Sequence, residues 1–401
     1  MRKSNLSKSN ISARIIKISI FAVAIGITTI IIALSSGRGL QEVIAKKIVS
    51  FSGHLVISSF ENNTSQVSVN PFILNDNHIN YLKGFKKIND FQNIAIKPGL
   101  LKNNNNFEGI LFKGVDSNYN WELISDYLIE GNFPKINQEI SNEIILSKSL
   151  SRRLNINIGD ILVGYFKKNE SQNIPNQRKF KIVGIFETGF PDYDESYILG
   201  DISQIRSINN WSPDQIGSIE VFLNNPNDDK EVAEILYNKL PSDIDVVTLK
   251  SKFKTVFQWI ALFDLNILII IIIMIFVGVV NISTGLLILI FERASMIGLL
   301  KALGAEDSLV KRTFMWNALF IITIGVLIGN FFGLGFYFLQ KELGLIKLDP
   351  LTYFVDVAPV KLYIDEWLLL NLLVILISLL LIWFPLNIIR KVSPSETIRN
   401  T

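Results

Sequence analysis

Residues 18–37, 265–291, 314–339 and 367–389 form four uninterrupted apolar stretches without a single charged side chain. Each is long enough to cross about 30 Å of hydrocarbon. In lipid every backbone N–H and C=O needs an internal partner, so stretches of this kind are helices. Hydrophobic residues make up 49% of the 401 positions and the mean hydropathy is +0.35. That is too apolar for an ordinary soluble protein and too polar for one confined to the membrane. The chain is read as an α+β membrane protein with four transmembrane helices and one large domain, residues 38–264, between the first and second.

The first span follows Arg2, Lys3, Lys8, Arg14 and Lys17, as a signal peptide would. Its apolar run, 18–34, exceeds the usual signal core, so it reads as a retained helix. Basic residues near the helix ends set the orientation. Arg293, Lys301, Lys311 and Arg312 lie in the 292–313 loop, and Arg390, Lys391 and Arg399 in the 390–401 tail. The 340–366 loop has Lys341, Lys347 and Lys361 beside five carboxylates. The N-terminal residues 1–17, the 292–313 loop and the tail are therefore expected in the cytoplasm, with 38–264 and 340–366 on the opposite, periplasmic side.

Several function classes lose support. The net charge is +3 without a basic block, so no nucleic-acid partner is expected. There is no cysteine for a disulfide, a thiol nucleophile or a thiolate metal site. His54 and His78 stand in polar, unpatterned surroundings and read as surface or strand-packing residues. The chain has no Walker A, GxSxG, HExxH or EF-hand pattern. Asp192, Asp194 and Glu195 follow Gly189 and Pro191 and read as a surface turn, not a cation site. No metal, cofactor or catalytic group is expected on this chain.

The domain reads as mixed α and β. Strands are expected at 53–58, 93–101, 108–115, 159–166, 179–188, 197–199, 218–223 and 243–249. Residues 143–154 read as a strand entering a helix, 228–240 as a helix, and 250–263 as a helix feeding the second span. Asn103–Asn106 suits a hairpin turn. Residues 155–200 look like a separate small β subdomain, whose polar loop carries Lys167, Asn173, Pro175 and Gln177; a solvated hairpin and a partner-docking loop remain alternatives.

Gly325, Gly329 and Gly333 recur every fourth residue and make one smooth helix face. It serves close packing with another helix, of this chain or of a second subunit. Asn281, Ser283 and Thr284 lie mid-span, for interhelical hydrogen bonding or a substrate path. In the 292–313 loop, Met296, Ile297, Leu300 and Leu303 recur at helical spacing and predict a short amphipathic helix. Gly304 can terminate it, and Glu306 and Asp307 suit the next helix's N-terminus. Such a helix can lie on lipid or fit a groove in a cytoplasmic protein.

The run Glu292, Arg293, Ile297, Gly298, Leu300, Lys301, Ala302, Leu303, Gly304 and Ala305 resembles the signature of FtsX-like permeases of ABC transporters. The order of one span, a large external domain and three spans is similar to the MacB-type mechanotransmitting permeases. Val280 to Thr284, Ile174 to Gly184, Phe186 to Asp194, Pro359-Val360 and the tail Pro394 to Arg399 resemble the lipoprotein-releasing (LolC/LolE-type) permeases. One departure is the short 167–177 hook segment. The resemblance implies an FtsX-like permease domain over 265–399 and a MacB-like periplasmic domain over 38–264. It implies pairing with a second permease copy or paralogue, and docking of a cytoplasmic ABC ATPase (LolD-like) that alone uses ATP on the 292–305 helix. Lipoproteins would be the substrate, a periplasmic lipoprotein carrier the recipient, and the inner membrane with its lipids the setting. Export of a peptide, antibiotic or other amphiphile, control of cell-wall hydrolysis, and ligand sensing are the competing readings; a sensor would need a larger cytoplasmic output domain.

Overall fold

The computed structural model describes residues 2–65, 67–103, 106–137, 139–167 and 175–387. It begins with α1 (Arg2–Ser52), an unbroken helix of 51 residues. At 1.5 Å per residue that is about 77 Å, well over twice the thickness of a bilayer core. It ends where Gly53, at φ +68°, donates to the Val49 carbonyl over 2.8 Å. A left-handed glycine here closes the last turn without a Cβ penalty.

β1 (Leu55–Ser59), α2 (Phe60–Ser65), α3 (Asp76–Gly84), β2 (Ile88–Asn103) and β3 (Asn106–Val115) follow. A 3₁₀ turn leads to β4 (Leu128–Gly131), then β5 (Glu143–Ser147), α4 (Lys148–Leu154), β6 (Ile161–Phe166) and β7 (Asn176–Phe186). Next come α5 (Pro191–Asp194), β8 (Tyr197–Asp201), α6 (Ile202–Asn209), β9 (Ser218–Leu223), α7 (Asp229–Lys239), β10 (Ile244–Thr248) and α8 (Leu249–Lys252). The remainder is α9 (Lys254–Glu292), α10 (Ala294–Ala302), α11 (Asp307–Leu343), α12 (Pro350–Tyr353) and α13 (Ile364–Leu386). Two compact units result: residues 44–258 with 349–355, and a helical unit made from the rest.

The first unit holds one ten-stranded sheet in the order β10-β1-β9-β2-β3-β8-β5-β7-β4, with β6 pairing β2 and β7. The expected separate 155–200 subdomain is corrected here. Its strands share the one sheet, because β2 is 16 residues long and reaches both parts. The β2 residues 88–94 pair with β9, 94–103 with β3, and 100–102 also with β6. The 93–101 reading was too short to make that connection visible. Aliphatic and aromatic side chains such as Leu55, Phe112, Phe166, Phe180 and Ile198 fill the core and are fully buried. Burying one of them removes it from water at a gain of about 1.5–3 kcal/mol. α6 was not anticipated. Its signals are the Asp201 side chain, which accepts from Ser203 N at 2.7 Å, and Ile202, Ile205 and Ile208, all buried at helical spacing.

Among the described residues of the helical unit, four helices are long and apolar enough to cross a membrane: α1 from Arg14, α9, α11 and α13. Ile27, Ile31, Ile282, Leu286, Ile322, Val374 and Ile382 meet in its core. Their outward residues, such as Phe276, Phe331 and Leu380, are exposed. Water would not tolerate so much apolar surface; lipid does.

Candidate functional site

The predicted helix in the 292–313 loop is α10. It is set off from α9 at Arg293, whose backbone (φ −99°, ψ 10°) leaves the helical region. It closes at Gly304, φ +94°, with Gly304 N donating to Lys301 O and Ala305 N to Leu300 O. Ile297 and Gly298 face inward and are buried. Met296, Leu300 and Leu303 face outward together with Leu299, Leu303 being 77% exposed. Lys301 turns back within the chain: its Nζ is 2.8 Å from Asp307 Oδ1 and its side chain only 11% exposed. The exposed apolar face is thus Met296, Leu299, Leu300 and Leu303, while Ile297, Gly298 and Lys301 hold α10 in place. Glu292 and Arg293 lie exposed at its start.

Asn281 and Thr284 turn a side-chain donor back along their own helix. Asn281 Nδ2 donates to Val277 O at 2.9 Å and Thr284 Oγ1 to Val280 O at 2.8 Å, one turn back along α9. Ser283 is half-buried on the same helix. Ser19 of α1 reaches across to the Asn281 carbonyl at 3.2 Å.

The glycine stripe packs within the chain. A Cβ on Gly325 would stand 2.7 Å from Val23 Cβ, one on Gly329 2.6 Å from Ile27 Cβ, and one on Gly333 2.8 Å from Ile31 Cδ1. α11 therefore lies against α1 at backbone distance, and Thr28 Oγ1 donates to Gly329 O at 3.1 Å. On another side of α11, Trp367 Nε1 donates to Asn330 Oδ1 and Asn330 Nδ2 to Asn371 Oδ1, each at 2.6 Å, clamping α13.

Residues 38–42 of α1 carry a polar cluster that the sequence reading missed. Arg38 Nη1 lies 2.8 Å from Asp264 Oδ1 of α9, and Nη2 lies 2.8 Å from Glu366 Oε1 of α13. Gln41 donates to Asp264 and to the Ile260 carbonyl, each at 3.1 Å. Glu42 binds Lys361 and Tyr363. A Cβ on Gly39 would come within 2.3 Å of Pro359 O, so only glycine fits beneath that loop. Charged residues at predicted span boundaries are ordinarily interfacial, and no spacing rule pairs residues so far apart in sequence.

In the sheet unit, the last turn of α1 is embedded in aromatic and ionic groups. Phe51 stacks on Tyr193 at 4.9 Å, and Tyr193 Oη shares a 2.7 Å hydrogen bond with Ser52 Oγ. Lys113 donates to the Phe51 carbonyl, where a cation meets the negative end of a helix. Lys113 Nζ also lies 2.8 Å from both Glu220 oxygens, all of this buried. Burial pushes the Lys113 ammonium down and the Glu220 carboxyl up, and each opposes the other's shift. β1, which leaves α1, pairs along its length with β10, which enters α8 and α9; Leu55 stands opposite Thr248 and Ser59 opposite Ile244.

The acidic residues after Gly189 lie on α5 and the turn that follows it. Asp194 accepts from Thr188 N, Thr188 Oγ1 and Gly189 N at 2.7–2.9 Å, while burial pushes its carboxyl up against those donors. Of the expected docking loop, Asn173 lies outside the described residues. Lys167 and Pro175 flank that segment and, with Leu100, Phe107 and Tyr165, line an apolar depression of about 480 Å³. Gln177 lies on β7, opposite Tyr165.

Residues 18–238 match the MacB-like periplasmic core domain, and residues 268–394 match the FtsX-like permease C-terminal family. The lipoprotein-releasing system transmembrane protein LolE of Haemophilus influenzae is 23% identical, over 98% of this chain and 95% of that protein. A LolC of Buchnera aphidicola is 24% identical over 97% of this chain and 94% of its own length. The periplasmic region of MacB from Actinobacillus actinomycetemcomitans superimposes with a TM-score of 0.35 at 16% identity, over 50% of this chain and 91% of that one.

Proposed function

Since this chain belongs to the permeases that join a MacB-like periplasmic core domain to an FtsX-like C-terminal region, we propose that it is an inner-membrane permease subunit of an ABC transporter that releases lipoproteins towards the outer membrane. Relatives that span nearly its whole length carry that description. In this reading both termini and α10 are cytoplasmic and the sheet unit is periplasmic. A separate ABC ATPase binds ATP and docks on Met296, Leu299, Leu300 and Leu303. A second permease copy or paralogue completes the transporter, and a periplasmic carrier receives the lipoprotein, with the segment between Lys167 and Pro175 as its docking point.

The observation that carries the coupling is the pairing of β1 with β10. α9 is a single helix of 39 residues, about 58 Å, from the α10 junction to Lys254. Through α8 it leads into β10, while β1 leads out of α1. A displacement of α9 relative to α1 is thereby a shear on neighbouring strands. The chain's own residues do mechanical work and no chemistry.

Leu300→Asp and Leu303→Asp test this in the full transporter. Burying an unpaired charge in an apolar interface costs more than the 1.4 kcal/mol that corresponds to tenfold in affinity. ATPase recovered with the permease should therefore fall at least about tenfold while the permease still inserts. Unchanged ATPase binding and lipoprotein release would refute the docking face. Gly298→Asp is a poorer probe, because Gly298 is buried inside the chain. Depletion should leave outer-membrane lipoproteins in the inner membrane; normal sorting would favour an amphiphile exporter.

A further inference from the structure

Where α11 and α13 run side by side near the α10 end, their outward faces leave a groove of about 510 Å³ lined by Arg312, Met315, Trp316, Leu379, Leu380 and Trp383, among others. That volume lies within the roughly 300–1,000 Å³ usual for small-molecule sites. Among the described residues, Arg312 is the single charged one in its lining. Among the described residues, no carboxylate lies within ion-pair distance of Arg312. Its neighbour Lys311 is turned away, donating to Asn387 at 2.7 Å and joining the ends of the two helices. Trp316 and Trp383 are 62% and 63% exposed at the level where indoles favour a membrane interface. From Arg312 to Leu319 the groove descends about 10 Å along α11 into apolar surroundings.

An apolar helix laid across this groove would desolvate Arg312 without a partner, which is strongly unfavourable. A lipid would not: its acyl chain fills the apolar floor while the guanidinium meets the phosphate, which it binds in fork geometry. We propose that the α11–α13 groove is a binding site for an anionic phospholipid, one acyl chain lying against Met315, Leu379 and Leu380 and the headgroup paired with Arg312. On the orientation proposed above the site lies in the cytoplasmic leaflet. Its existence does not depend on the docking of α10 or on the cargo.

The test uses the full chain, delipidated in detergent and titrated with dioleoylphosphatidylglycerol or dioleoylphosphatidylcholine, bound lipids being counted by native mass spectrometry. Phosphatidylglycerol should bind more tightly. Arg312→Gln should weaken phosphatidylglycerol about fivefold, the effect of one cation near an anionic surface, and leave phosphatidylcholine unchanged. Leu380→Trp, which fills the groove, should lower occupancy by both. Equal affinity of the native chain for the two lipids overturns the proposal. So does a phosphatidylglycerol preference that survives both substitutions, or a Leu380→Trp chain that loses a second copy of itself instead of lipid.

Discussion

Arg38 and Asp264, 226 positions apart, meet as an ion pair 2.8 Å long between α1 and α9. The same guanidinium holds Glu366 of α13, so one cation gathers three helices. Its side chain is 31% exposed and that of Asp264 55%, so water screens the attraction. A pair of this kind contributes about 0.2–1 kcal/mol. Its larger effect is on which helices stay together.

Arg38→Gln should therefore lower the thermal midpoint of the detergent-solubilised chain only slightly, by a loss within about 1 kcal/mol. Asp264→Asn should do the same. The double variant should lose less than the sum, because the residues are in contact. Strict additivity would show that the contact carries no energy.

Gly329→Leu should destabilise the helical unit by about 1–3 kcal/mol or more through overpacking against Ile27 and the Ala24 carbonyl. Gly335→Leu is the matched control, since a Cβ there meets nothing within 4 Å among the described residues. Equal unfolding midpoints for the two variants would show that α1 and α11 do not approach at the stripe.

Lys113→Met should cost about 3–5 kcal/mol, because it strands a buried carboxylate at Glu220. Adding Glu220→Leu should recover much of the loss, since an apolar pair can replace a buried ionic one. Denaturant unfolding of the four chains measures the cycle. A double variant no better than Lys113→Met would place the loss in the Phe51 carbonyl contact instead.

His54 gives a pH dependence of fixed sign. Burial lowers its pKa below 6.5, and its Nδ1 accepts from Leu223 N at 3.0 Å. The folded chain thus binds fewer protons than the unfolded one between the folded value and 6.5. Its contribution to stability is complete above 6.5 and is lost as pH falls through that window. Buried carboxylates such as Asp194, whose pKa is raised, act with the opposite sign. The difference between the native chain and His54→Asn isolates the histidine: only the native chain should carry the extra loss below pH 6.5. Parallel melting curves would refute it.

Much of the sheet unit was legible because alternating apolar residues bounded by Gly, Asn and Pro mark strands. Asn103 does oppose Asn106, and residues 143–154 do pass from β5 into α4. What the sequence could not supply was sharing between strands. The breadth of the sheet depends on the last third of β2, whose polar residues Lys102 and Asn103 look like a loop. α10 was legible at its boundaries, since Gly304 and Asp307 punctuate it, but not in its orientation. Ile297 and Leu300 have the same apolar character and opposite exposure, which only packing decides. The glycine stripe announced close contact without naming its partner. Arg38 was invisible for a plainer reason: a cation near a span boundary has many destinations, and three helices must be in place before one is chosen.

The antiparallel register of β1 and β10 has an architectural corollary. Facing residues in such a ladder have Cα atoms about 4.5–5.5 Å apart, so the polypeptide enters and leaves the body of the sheet at practically the same spot. Everything between those two strands is a cartridge with a two-pin connector, and insertions of that geometry are well tolerated. A whole sheet can be exchanged at that one point without recutting the helices on either side.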